Sequence, residues 1–222
     1  MSQPPTVTYA KLKTPKAAAI AGIAFSILLI TFFWLLRLSI PADPMETGEW
    51  IATSGSRVAF ALNLVPFCGI AFLWFVGVIR DRLGQLEDRF FSTVFFGSAL
   101  LFLAMLFAAA AAIGAIVLIA ALQESELMNS PTFRLARAFA FIIMNVYAIK
   151  MAAVFMISGS TIAFYTTFVP RWIAYLGYGM ASVLLVGSYY IAWGFFVLPV
   201  WVLLTSVYIL IDNFRQAPET GG

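Results

Sequence analysis

FRLARAFAFIIMNVYAIKMAAVFMISGSTIAFYTTFVPRW, residues 133 to 172, reads as one long apolar helix with Lys150 near its middle. Between Arg137 and Arg171 no residue carries a charge except Lys150. At about 1.5 Å per residue the stretch exceeds the roughly 30 Å hydrocarbon core of a bilayer. It therefore predicts a transmembrane helix. An ionisable side chain deep in hydrocarbon is costly, and by default it marks a functional site. Nowhere else does a Lys, Arg, Asp or Glu lie deep inside an apolar segment.

The composition agrees with a membrane protein. Of 222 residues, 63% are hydrophobic and 10% charged, whereas a soluble domain is about 25% charged. The 22 Phe and 6 Trp suit lipid-facing surfaces and interfacial belts. The net charge of +3 comes from loop arginines and an N-terminal lysine group, and no basic tract on a soluble face points to nucleic acid. With one cysteine, Cys68, there is no intrachain disulfide and no redox pair. With no histidine, bis-His haem, the common zinc and copper sites and imidazole-based catalysis are excluded. No cofactor is expected.

Outward from the central stretch, the chain divides into apolar runs. Residues 1–16 form a polar tail with Lys11, Lys13 and Lys16. Ala17 to Leu36 is a first span, longer than the apolar region of a cleaved signal peptide. A loop rich in Pro, Gly and acid runs from Arg37 to Arg57 and carries Asp43, Glu46, Glu49 and Trp50. The second span, Val58 to Ile79, contains Asn63 and Pro66, which predict a kink or a freed carbonyl. The charged link Arg80 to Arg89 follows. The third span, Phe90 to Leu122, is long enough to tilt or project. Its Ala-rich middle places Ala110 and Gly114 four apart, the spacing of a close helix–helix seam.

Gln123 to Thr132 is a loop with Glu124 and Glu126, and the Lys150 span follows it. From Trp172 to Ile211 there is no formal charge, and one helix of that length would measure about 60 Å. A hairpin is therefore expected, turning near Trp193, Gly194 and Pro199, with spans at 172–191 and 196–211. Residues 212–222 form a tail. The expected fold is an all-α, six-helix transmembrane bundle over 17–211. With both termini cytoplasmic, inner segments hold eight of the cations and outer loops four, as the positive-inside rule prefers.

On a regular helical wheel, Tyr147, Ser158, Thr161 and Tyr165 fall on or near the Lys150 face. This hydroxyl stripe is a candidate ligand site or path, and Asn63 and Tyr147 are candidate partners for the ammonium. The competing reading is structural, since Ser and Thr in membrane helices often bond their own i−4 carbonyls. Because no span holds a carboxylate, Lys150 has four ways to be compensated. It loses its proton, bonds neutral groups, snorkels, or holds an anion from a lipid, a substrate or a partner subunit. Glu124 and Glu126 beside Arg134 and Arg137 are weak candidates for acid–base work and read better as a solvated loop.

The segments PRWIAYLGYGMA, Pro170 to Ala181, and LPVWVLLTSVYIL, Leu198 to Leu210, resemble a large family of uncharacterised bacterial multi-spanning membrane proteins. The resemblance covers the last third best. It implies a bacterial inner membrane and carries over no activity and no catalytic residue. The leading expectation is a non-enzymatic accessory or lipid- or amphiphile-binding bundle. The alternative is a small-solute transporter with Lys150 on its path, and a third reading is a membrane-embedded lipid-modifying enzyme.

Overall fold

The structure is a computed structural model that describes residues 14–43, 45–83, 89–122, 130–166, 169–187 and 193–216. All regular structure in these residues is helical: α1 (Thr14–Ser39), α2 (Trp50–Leu83), α3 (Arg89–Leu122), α4 (Pro131–Ile142), α5 (Ile149–Thr166), α6 (Arg171–Gly187) and α7 (Val197–Gln216). A π turn, Ile143–Ala148, joins α4 and α5 into one rod, so the described residues form six helices. Five of these are long and apolar enough to cross a membrane. The sixth, α6, has 17 residues and rises about 25 Å. The protein is thus an all-α, membrane-embedded helix bundle.

Local chemistry explains several boundaries. Ser130 caps α4, its Oγ accepting from Phe133 N at 3.2 Å, and Pro131 follows at the first helical position, where its missing N–H costs nothing. The second helix starts at Trp50, eight residues before the expected Val58. Burial explains the extension: Trp50, Ile51 and Val58 pack with Ile116, Ala120 and Phe133 into a cluster that closes this end of the bundle. Pro66 lies inside α2 without ending it. The expected hairpin turn lies where Trp193 and Gly194 mark it: Trp193 and the 3₁₀ turn Gly194–Phe196 precede α7, and only Pro199 falls outside, within the first turn of α7, where proline is tolerated. The rest of that turn, 188–192, lies outside the described residues.

An aromatic column holds the centre. Phe72 of α2 lies 4.4 Å from Phe25 of α1 and 5.1 Å from Phe155 of α5, between ring centroids. Phe155 in turn stacks on Phe95 of α3 at 4.6 Å and meets Trp201 of α7 edge-on at 6.3 Å. Many phenylalanines therefore pack the core rather than face lipid. Trp201 is buried too, with Nε1 donating to Ile173 O at 3.4 Å, while Trp172 and Trp193 are exposed as belt residues would be. Cys68 is a buried packing residue.

The expected Ala110–Gly114 seam is not where helices approach most closely. A Cβ on Gly114 would make an ordinary 3.6 Å contact with Leu62. On Gly22 it would collide with Ser206 and Phe75, and on Gly177 with Ser160 and Trp201. The close seams join α1 to α2 and α7, α2 to α3 where Gly69 meets Phe107, and α6 to α5 and α7. Ala109 and Ala110 serve a different purpose: their short side chains leave a cavity.

Candidate functional site

The cavity measures about 310 Å³, at the lower end of the roughly 300–1,000 Å³ typical of ligand sites. Its walls are apolar. They comprise Phe32, Phe33 and Leu36 of α1, Ala109, Ala110, Ile113 and Ile116 of α3, Ala140, Phe141 and Met144 of the α4–π rod, and Phe195 and Phe196 before α7. Four polar side chains break this lining: Arg37, Trp50, Arg137 and Asn145.

Arg137 is the dominant group. The cap at Ser130 fixes the phase of α4, and Phe133, Arg137 and Ala140, at i, i+4 and i+7, are its buried residues. A cation thus occupies the apolar stripe of its helix and is only 7% exposed. Its Nη1 donates to Glu46 O at 2.9 Å, and its Nη2 donates to Pro41 O at 3.1 Å and Asp43 O at 2.9 Å. Three of its five N–H donors thereby hold the α1–α2 loop. The guanidinium also lies 6.0 Å from the ring centroids of Trp50 and Phe133. Desolvating such an ion costs several kcal/mol, and hydrogen bonds to a charged group return about 1.5–3 kcal/mol each. Carbonyls satisfy its geometry but do not neutralise it. The carboxylates of Asp43 and Glu46 act only at longer range.

Two further polar groups stand near Arg137. Trp50 Nε1 is buried with no hydrogen-bond partner among the described residues. Arg37, in the last turn of α1, rests 5.2 Å from the Trp193 ring. Asn145, in the π turn, donates back to Phe141 O of α4 at 2.9 Å. Such turns are rare and frequent at functional sites. Here the turn lines the deep part of the cavity with Met144 and Asn145, about 10 Å along the axis from Arg137. The cavity therefore has a cationic end at the α1–α2 loop and an apolar end deeper in the bundle.

The stripe expected around Lys150 is not gathered into one site. Lys150, Tyr147 and Tyr165 lie on the outside of the bundle. Ser158 and Thr161 are buried, each donating to its own i−4 carbonyl at 2.9 Å, and Thr161 Oγ1 meets Tyr178 OH of α6 at 2.7 Å. Asn63, exposed on α2, donates to Ala59 O at 2.9 Å. The reason is coverage. Helix α6 packs over Thr161, and the same face of α5 is open at Lys150. The π turn also breaks the regular wheel just before Lys150. Glu124 and Glu126 lie outside the described residues.

Arg137 is the residue that sequence reasoning passed over as a helix-entrance charge. Its signal was the Phe133–Arg137–Ala140 spacing, which sets it on the buried face. The fold and cavity define a membrane-embedded helix bundle with an arginine-headed internal site. Comparison with protein-family models, with curated proteins and with solved structures returned no match to this chain.

Proposed function

We propose that this protein is a non-enzymatic membrane component that binds an anionic amphiphile in the Arg137 cavity. The carboxylate or phosphate headgroup sits between Arg37 and Arg137, and its chain lies along Phe32, Phe33, Ala109 and Ala110. The observation that carries this reading is the buried Arg137 guanidinium, with no carboxylate in ion-pair contact among the described residues, heading an apolar cavity. Lipid tails are as apolar as the cavity wall, so burying the chain gives little preference over the bilayer. Selectivity must come from the charged end. Lys150 lies off this cavity, and no path through it is proposed.

The resemblance in the last third supports a bacterial inner membrane. The excess of cations on one side supports six spans with both termini cytoplasmic, and the cationic end of the cavity then faces outward. Calorimetric titration of the detergent-solubilised protein checks the reading. A medium-chain fatty acid and a single-chain phosphate ester should bind, whereas the uncharged monoglyceride of the same chain should not. Equal binding of charged and uncharged amphiphiles would overturn the proposal.

A further inference from the structure

Lys150 is exposed on the outside of the bundle and makes no hydrogen bond or ion pair among the described residues. It lies near the centre of the span Pro131–Tyr165, roughly 28 Å along the axis from one end and 22 Å from the other. A headgroup sits at the interface, about half the 30 Å core away. An ammonium at this depth, facing out, meets no carboxylate among the described residues, and an anion from outside the chain is the compensation that its exposure favours. No apolar span of the sequence carries an Asp or Glu, so a second copy brings no carboxylate either.

We infer that this face of α5 docks a transmembrane helix of another protein that carries an intramembrane carboxylate. Lys150, Val154 and Ile157 fall at i, i+4 and i+7 on one side of α5, the first exposed and the other two half-buried, and the exposed Tyr147 lies just before them in the π turn. Charge complementarity selects the partner: the carboxylate meets Lys150, and Tyr147 offers a neighbouring phenol. The inference is independent of the amphiphile reading, because Lys150 does not line that cavity.

The full chain in phosphatidylcholine vesicles, labelled for energy transfer, tests it against a synthetic Leu/Ala transmembrane peptide with one central Glu. The twin peptide carries Gln instead. The Glu peptide should associate about ten-fold more tightly than its twin, and Lys150→Gln should abolish the difference while Lys150→Arg keeps it. Equal association of the two peptides with the unaltered protein overturns the inference, and that arm needs no variant to fold. So does a preference that persists in Lys150→Gln. Self-association of the chain that depends on Lys150 without any peptide would assign the face to a second copy and also overturns it.

Discussion

Arg137 and Lys150 stand thirteen residues apart on one continuous rod and meet opposite surroundings. Arg137, near the end of its span, is enclosed and held by three carbonyls; Lys150, at mid-span, faces out of the bundle and holds nothing. Depth along an apolar segment therefore does not say whether a charge serves an internal site. The helix face and the neighbour that covers it decide. A buried charge near an end can build a cavity, whereas a central one can belong to a surface.

The largest expected effect is at the caged arginine. Arg137→Met removes all three loop bonds and leaves their carbonyls unpaired, which should cost about 3–5 kcal/mol. Thermal unfolding in detergent should drop by about 10 °C; an unchanged melting point would show the cage to be idle. Next comes the seam that supports α5 from behind. Gly177→Ala drives a methyl into Ser160 and Trp201 and should cost about 1–3 kcal/mol in the same assay. Trp50→Phe probes the cationic end more gently. It deletes a buried, unpartnered N–H and keeps an aromatic ring beside Arg137, so stability should hold within about 0.5 kcal/mol. Smallest is Lys150→Gln, which in detergent should shift unfolding by no more than about 0.5 kcal/mol. A large loss there would mean that Lys150 is held internally, and the contrast with Arg137 would collapse.

Much of the fold was legible because it rests on lengths and charges. The 40 uncharged residues from Trp172 to Ile211 had to fold back on themselves, and Ser130–Pro131 announced the start of the α4 rod. The start of α2 at Trp50 was hidden by Ser54, Gly55 and Ser56, a weak helical run stabilised by burying Trp50 and Ile51 against α3 and α4. The same limit applies to Trp201, whose composition suits a belt and whose partners place it in the core. The cavity was less legible still. It is made by what Ala109 and Ala110 do not fill, and a short side chain looks the same whether a helix or a ligand lies against it. The π turn, which lines the deep end with Met144 and Asn145, leaves no signal in a regular wheel.

The most direct test is native mass spectrometry of the full chain released from gentle detergent, comparing the natural sequence with Ala110→Leu, which fills the cavity from α3. One anionic amphiphile should remain on each natural chain and be absent from the variant. A natural chain that flies bare, or a variant that carries the same amphiphile at the same occupancy, would contradict an amphiphile site headed by Arg137.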